Sequence, residues 1–245
     1  MTRIVTLALV LFAAAASASG IQPWLDTEFG VVLPGYNDIR VPGDTGTEFS
    51  LSDLDPDAGL FFRIRPGISI GRHRVSVLVA PLRIEAGSAI DENISFAGVL
   101  FPAGAEVDAT YRFDSYRLSW LYDALVRDDL RLSLGASAKI RDAAISLSSP
   151  QLGLEARKTN TGFVPLLAAD VDYRLGSDVS ALLSIEGLVG PVGRAEDVFA
   201  GLVWSPSKIT SLRMGYRFVE GGADVDEVYN FTMIHYLSLG ATVRL

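Results

Sequence analysis

The chain has 245 residues, the length of a single domain, and its formal net charge of −8 argues against a nucleic acid as its partner. It contains no cysteine, so no disulfide holds it together. Its hydrophobic content of 49% and mean hydropathy of +0.30 are high for a soluble domain rich in turns. We therefore expect part of its surface to face something other than water.

The first residues have the pattern of a secretory signal peptide. Arg3 gives a positive start, Ile4 to Ala16 form an apolar run, and the small residues from Ala16 to Ala18 fit a cleavage site. The alternative is a membrane-anchoring helix, but the apolar run is shorter than the roughly 20 residues that a spanning helix needs. We predict a cleaved signal peptide over residues 1–18 and an exported domain over 19–245.

The rest of the chain alternates apolar and polar residues in short segments, which is the period of a β-strand. The clearest alternation is at 130–141, where leucine, alanine and isoleucine alternate with arginine, serine, glycine and lysine. Such segments escape a helix-scale hydropathy scan and are typical of strands with one face in lipid. The predicted strands lie at 24–32, 59–70, 74–85, 106–122, 130–141, 162–175, 180–186, 197–204, 212–218 and 229–245.

The connections between these strands alternate in length. The short ones are at 71–73, 126–129, 176–178 and 205–208. The long ones are at 34–58, 86–105, 146–161, 190–196 and 220–227. Short turns at one end and long loops at the other are typical of transmembrane barrels, in which an even strand number places both termini in the periplasm. Within the fourth strand the apolar residues change phase near Asp114 and Ser115, and we interpret the change as a β-bulge.

The last strand carries the most specific pattern in the chain. From 237 to 245 every second residue is apolar, which predicts a strand that pairs on both sides, as the closing strand of a barrel does. Ser238, Gly240, Val243 and Leu245 resemble the C-terminal insertion signal of bacterial outer-membrane β-barrels, with Leu245 in place of the usual aromatic residue.

This resemblance implies an all-β fold: an antiparallel transmembrane up-and-down barrel of about ten strands, within a range of roughly 8 to 12. It implies a location in the bacterial outer membrane. The implied partners are outer-membrane lipid, lipopolysaccharide and the barrel-assembly machinery. It implies no cofactor, and it leaves the oligomeric state open.

The alternation places a mainly basic set of side chains inside the predicted barrel, because an arginine facing lipid costs up to roughly 2–4 kcal/mol at the midplane. The predicted lumen-lining residues are Arg63, Arg65, Arg112, Asp114, Arg131, Lys139, Asp170, Asp172, Arg174, Glu186, Arg213 and Arg217. In one interpretation these residues pair into a network that fills a narrow barrel. In the other, surplus arginines line a path for anions or small polar solutes. The loops are acidic, so the expected picture is a basic lumen beneath an acidic rim.

Residues suited to catalysis or metal binding are few. Of the two histidines, His73 falls in a short turn and His235 on the lipid-facing side of the last strand. Ten-stranded outer-membrane proteases use an Asp-x-His pair, but Met233 occupies the aspartate position here. An acidic stretch in the first loop has the opening spacing of a calcium loop, yet it lacks the turn glycine and the closing glutamate. We predict no catalytic residue and no metal site.

Three functions fit these patterns. The first is a non-enzymatic integral outer-membrane protein, either structural or a narrow pore for small polar or anionic solutes. The second is an outer-membrane enzyme or ligand-binding barrel, which requires the acidic loop residues and His235 to converge at the mouth. The third is a soluble periplasmic lipid-binding barrel, and the exposure of the apolar face from Leu130 to Ile140 distinguishes it from the others.

Overall fold

The computed structural model describes residues 20–245, so the predicted signal peptide lies outside the described residues. In this part of the chain the fold is all-β, with one short 3-10 helix at Leu51–Leu54. No helix in 20–245 is long and apolar enough to cross a membrane. The strands are β1 (Ile21–Arg40), β2 (Phe49–Ser50), β3 (Gly59–Ile70), β4 (His73–Ala80), β5 (Arg83–Ala89), β6 (Ile94–Phe96), β7 (Val99–Phe101), β8 (Glu106–Val126), β9 (Leu130–Ser149), β10 (Leu154–Arg174), β11 (Val179–Gly190), β12 (Gly193–Trp204), β13 (Thr210–Val225) and β14 (Val228–Arg244).

Ten strands close into an antiparallel ring. Around it, β1 pairs with β3, β3 with β4, β4 and β5 with β8, and each strand from β8 onward with the next. The ring closes where β14 pairs with β1, from Trp24 opposite Arg244 to Arg40 opposite Tyr229. Here β4 and β5 count as one interrupted strand, and the short β2 only extends the edge of β1. The predicted barrel of about ten strands, with a last strand that pairs on both sides, is confirmed.

Both ends of the described chain lie at one end of the barrel, which we call the proximal end; the opposite end is the distal end. The proximal turns are at 71–72, 127–129, 175–178 and 205–209. The distal connections are at 41–58, 90–105, 150–153, 191–192 and 226–227. The predicted long loops at 146–161, 190–196 and 220–227 are wrong, since strands continue through most of these residues. These parts of the strands carry polar side chains on their outer face, and a polar composition by itself is typical of a loop.

A belt of large apolar side chains covers the outer face of the proximal part of the ring. Leu60, Phe163 and Leu167 are 86%, 68% and 66% exposed. Other members are Phe29, Phe62, Val77, Leu118, Trp120, Leu134, Ile140, Leu183, Ile185, Leu202, Trp204, Leu212, Met214, Leu237 and Leu239. An outward apolar band on every strand is what a barrel in lipid requires. A soluble lipid-binding barrel would instead turn such a band inward.

Strand β8 shows that side-chain polarity inverts along the barrel. Its pairing with β9 is continuous from Asp108 to Asp123, so the predicted bulge at 114–115 is wrong; the register shifts only beyond Asp123. Since the pleat is unbroken, Tyr111 and Arg117 both point inward. The apolar residue lies inside the distal part and the charged residue inside the belt. Polarity, and not register, therefore changes where the strand leaves the belt.

Beyond the belt the strands form a distal head with an apolar interior. One sheet is made of the distal parts of β5, β8, β9 and β10, and the other of β13, β14 and β1. The loop 41–58 and the β6–β7 hairpin contribute side chains to the space between them. The distal core contains Val32, Ile39, Leu51, Leu54, Ile84, Phe96, Phe101, Val107, Tyr111, Ile145, Leu147, Ala156, Val219, Ile234 and Tyr236. The head is therefore apolar inside and polar outside, as a soluble domain is, whereas the belt is polar inside and apolar outside.

Candidate functional site: the closed lumen and the distal head

The centre of the lumen holds charged side chains arranged around Asp197. The Asp197 carboxylate accepts a hydrogen bond from Arg63 at 2.9 Å and contacts Arg117 at 2.7 Å and Arg217. These four residues lie on β12, β3, β8 and β13, so the interaction spans the barrel. The side chains of Asp197 and Arg117 are only 3% and 2% exposed. We call the charged set at this level the central ionic layer: Asp26, Glu28, Arg63, Arg65, Arg117, Lys139, Glu186, Asp197, Arg213 and Arg217.

Glu28 joins the neighbouring arginines of β13 to this layer. Its carboxylate accepts two hydrogen bonds from Arg217, both at 2.8 Å, and one from Arg213 at 3.2 Å. Arg213 also bonds Asp26 on the same face of β1. Arg213 thus donates charge-assisted hydrogen bonds to two acids of β1. Together with the bonds of Arg217, they hold β1 and β13 together across β14.

The fourth acid of the layer is Glu186 on β11. It accepts a hydrogen bond from Arg117 at 2.8 Å and lies 3.8 Å from Arg65. Lys139 is buried with its ammonium 4.7 Å from the centroid of the Phe113 ring, and it forms no ion pair with a described residue. The layer therefore contains six basic and four acidic side chains, an excess of two positive charges.

An aromatic ring supports this layer from the wall. The guanidinium carbons of Arg217 and Arg213 lie 5.1 and 5.8 Å from the centroid of the Phe199 ring, a cation–π arrangement. The ring itself lies over Gly201 and Gly215, where an added Cβ would come within 2.7 Å of the ring carbon Cζ. Glycine at these two positions leaves the room that Phe199 fills.

A second, smaller ionic cluster lies toward the proximal end. Arg74 donates hydrogen bonds to Asp170 at 3.0 Å and to Ser133 at 2.7 Å, and it lies 3.5 Å from Asp123. Arg131 pairs with Asp172 at 3.3 Å. These groups are more exposed than the central layer, so this part of the lumen is open to solvent.

The structure brings together only part of the predicted lumen set. Arg63, Arg65, Lys139, Glu186, Arg213 and Arg217 lie in the central ionic layer, and Arg131, Asp170 and Asp172 in the proximal cluster. Arg174 is exposed at the proximal end of β10.

Arg112 and Asp114 do not line the lumen. They have the parity of the outward residues of β8 and lie on the outer face of the head, where Arg112 bonds Asp142 at 2.8 and 3.0 Å and Asp114 at 2.9 Å. The bulge that would have turned them inward is absent from β8. The predicted set also lacked residues that matter most. The missing members are Asp26, Glu28, Arg117 and Asp197 of the layer, and Arg74 and Asp123 of the cluster.

The lumen is closed at two levels. The central ionic layer blocks it within the belt, and the distal core fills it above. Between the two, a cavity of about 20 Å³ is lined by residues that include Phe61, Arg63, Ser115, Arg117 and Tyr236. This is room for about one water molecule.

The outer face at the distal border of the belt carries aromatic and basic side chains. Arg194 bonds Glu220 at 2.7 Å and lies 4.8 Å from the Phe231 ring centroid. The border of the belt is where the aromatic girdle of a membrane barrel meets lipid headgroups. Farther out, at the distal tips of β1 and β14, Arg40 lies 4.9 Å from the ring centroid of Tyr229. Burial raises the pKa of Tyr229 above its usual value, and the nearby carboxylates raise it further.

The two histidines lie far apart on the outer surface. His235 stacks against Tyr216 on the lipid-facing side of β14, with ring centroids 6.0 Å apart. His73 begins β4 at the proximal end and accepts a hydrogen bond from the indole of Trp120 at 3.2 Å. Each ring is thus held by an aromatic neighbour at one border of the belt.

The residues of the proposed insertion signal occupy both faces of β14. Ser238 and Gly240 face the lumen, and the guanidinium of Arg213 lies against Gly240, where an added Cβ would come within 2.6 Å of its carbon. Val243 faces outward in the belt, and the backbone N–H of Leu245 donates to the carbonyl of Pro23 at 2.8 Å. The signal itself stays a prediction.

Known structures share this architecture. The outer membrane protease OmpT from Escherichia coli superimposes with a TM-score of 0.52 at 10% identity, covering 91% of this chain and 97% of that chain. The transport unit of the autotransporter AIDA-I from Escherichia coli gives 0.48 at 7% identity (91% and 90% covered), and Ail of Yersinia pestis 0.41 at 11% (91% and 99%). No protein-family model matches the sequence, and no curated protein matches it. The chain therefore has the fold of the bacterial outer-membrane β-barrels.

Proposed function

We propose that this protein is a non-channel, non-enzymatic barrel of the bacterial outer membrane that holds a rigid folded head outside the cell. Residues 1–18 direct export and are removed, and the assembly machinery reads the last strand. The proximal end faces the periplasm, because an even strand number places both termini there. The distal head then projects beyond the outer leaflet.

The observation that carries the proposal is the arrangement around Asp197. Three arginines from different strands meet one buried carboxylate there, and neighbouring acids bind two of them, Arg117 and Arg217, a second time. A path for hydrated ions through this level would require several charge-assisted bonds to break in a dry environment, which is costly. The apolar distal core adds a second barrier that contains few groups able to coordinate an ion.

A narrow anion pore is the alternative that the charge count favours. The excess of two positive charges in the central ionic layer is the feature that would attract anions to a constriction. In that case Arg63 and Arg213 would line the path, and water would separate them from their acidic partners.

The outer leaflet supplies the lipid partners. The aromatic and basic side chains at the distal border, including Tyr216, Phe231 and Arg194, suit lipopolysaccharide headgroups, which are rich in phosphate. The role of these contacts is to fix the height of the barrel, so that the polar outer face of the head lies in water.

Single-channel recording tests the proposal. The mature chain is refolded in detergent, checked for heat-modifiable gel mobility as a sign of a closed barrel, and added to a planar bilayer under a salt gradient. We expect no discrete conductance steps from chains that show the mobility shift. Steps with anion preference that reverse in the Arg63→Glu or Arg213→Glu variant would establish the pore instead.

A further inference from the structure

One strand of the head has a long edge without a partner. Strand β10 pairs with β9 along its whole length, but its pairing with β11 begins only at Leu167, opposite Gly187. Among the described residues, none pairs with the other side of β10 between Leu154 and Leu166. We call this segment the β10 edge. Its Leu166 end lies within the apolar belt and its Leu154 end lies in the head, and the outer face becomes polar at Thr161.

The direction of the free backbone groups can be assigned from the ends of the strand. The N–H of Arg174 donates toward Asp129, on the β9 side, whereas that of Leu175 donates to Val179, on the β11 side. Since the register of β10 against β9 has no break, the odd-numbered residues direct their N–H and C=O groups to the β11 side. In the β10 edge these residues are Glu155, Arg157, Thr159, Thr161, Phe163 and Pro165.

The position of Pro165 agrees with this assignment. Proline has no N–H, so it is tolerated where that group would point away from the ladder. The β10 edge thus presents five free donors and six free acceptors. All six odd-numbered residues are exposed. An exposed row of unpaired backbone groups is a template for an additional strand.

We infer that the β10 edge binds an extended segment of another protein outside the cell, by strand addition. This inference rests on the proposed function, which places the head outside the cell, and it adds the class of partner that the head recognises. Main-chain hydrogen bonds give such a complex its affinity, and the side chains beside the edge give it specificity.

The side chains beside the edge define the chemistry of the partner. Arg157 and Lys158 project to opposite faces of the strand, and neither forms an ion pair with a described residue. Farther down, Phe163 is 68% exposed, and Val189 on the facing strand β11 is 70% exposed. The segment that fits has acidic side chains next to the two basic residues and apolar side chains next to Phe163 and Val189.

A second copy in the same membrane does not fit the edge. Two copies related by a two-fold axis along the membrane normal both run from periplasm to exterior, so their β10 edges would cross at twice the strand tilt, roughly 70–90°. Strands at that angle cannot form a ladder. The partner is therefore a soluble or surface-attached polypeptide that can lie along β10.

Two measurements on the full chain in nanodiscs containing lipopolysaccharide test the inference. Hydrogen exchange without any partner is expected to be fast at Thr159 and Thr161 and slow at the even-numbered Lys158 and Asn160. Equal protection of both sets in the free protein would overturn the inference, because lipid or the chain itself would then already occupy the edge.

The second measurement uses a synthetic peptide with valines in its N-terminal half and adjacent aspartates in its C-terminal half, followed by fluorescence anisotropy. An antiparallel added strand of this sequence places valines beside Phe163 and aspartates beside Arg157 and Lys158. We expect the peptide to bind and to protect the Thr159 amide. Its affinity is expected to be roughly tenfold lower for the Thr159→Pro variant, which loses an edge donor, and unchanged for the Thr159→Val control. Weaker binding is also expected for a lysine-for-aspartate peptide and for one with N-methylated backbone. No binding of the acidic peptide, or equal binding of the N-methylated one, would overturn the inference. Conductance is scored separately, so a failure here is distinct from failure of the closed-barrel proposal.

Discussion

Replacing Asp197 by asparagine is expected to destabilise the barrel strongly. Asparagine has nearly the same shape but no charge, so Arg63, Arg117 and Arg217 would remain buried around a neutral amide. The excess positive charge of the central ionic layer would rise from two to three. Removing one partner of a buried ion pair typically costs about 3–5 kcal/mol, and here one carboxylate serves three arginines. We therefore expect a loss of at least this size in the free energy of unfolding.

The assay is urea-dependent unfolding of the refolded chain in phospholipid vesicles, followed by tryptophan fluorescence and gel mobility. Glu85→Gln is the matched control, because the Arg83–Glu85 pair at 2.8 Å has side chains 63% and 64% exposed. An exposed pair of this kind contributes about 0–1 kcal/mol. Adding Arg63→Met to Asp197→Asn is expected to restore part of the lost stability. If Asp197→Asn costs no more than Glu85→Gln, the layer is screened by water and the reasoning fails.

Three further outcomes can be measured in the same way. Gly215→Ala is expected to cost about 1–3 kcal/mol, because an added Cβ would lie 2.5 Å from the carbonyl oxygen of Ala200 and 2.7 Å from Cζ of Phe199. Gly176→Ala, where an added Cβ meets nothing within 4 Å, is expected to be nearly neutral, and equal costs would contradict the packing argument. Leu147→Ala in the distal core is expected to cost about 2–5 kcal/mol and to make the head sensitive to trypsin. Leu134→Ala on the lipid face is expected to leave the head resistant to trypsin. A resistant head in both variants would contradict the closed distal core. Lys139→Met is expected to raise the stability by on the order of 1 kcal/mol, because it removes a buried charge without a carboxylate partner; a loss of stability would point to a counter-ion at Lys139.

The belt could be predicted from the sequence because lipid imposes a strict alternation. The face from Leu130 to Ile140 shows this directly, since any inward shift by one residue would place arginine and lysine in lipid. The same alternation placed Arg63 and Arg217 on the inner face, and both side chains are buried in the structure. Applied to β1, it would also have found Asp26 and Glu28, whose neighbours Leu25 and Phe29 face outward.

The head could not be predicted by that rule because its polarity is reversed. On β8 the apolar residues up to Tyr111 point inward and those from Tyr116 onward point outward, without any break in the strand. When lipid is assumed to surround the whole strand, apolar residues that move from one face of the strand to the other are interpreted as a bulge. The partners of Asp197 across the lumen also could not be predicted from the sequence, because they depend on which strands face each other across the ring.

The most direct test of the closed barrel is conductance measured on chains that open each barrier in turn. The distal barrier is opened by deleting residues 91–104 and replacing Tyr111, Leu147 and Ile234, core side chains that the deletion leaves in place, with serine. The ionic barrier is opened by replacing Arg117, Asp197 and Arg217 with serine. Only chains with heat-modifiable mobility are scored. Two barriers in series predict silence from the unaltered chain and from each single opening, and discrete steps only when both are combined. Conductance steps from the unaltered chain would contradict the account at its centre.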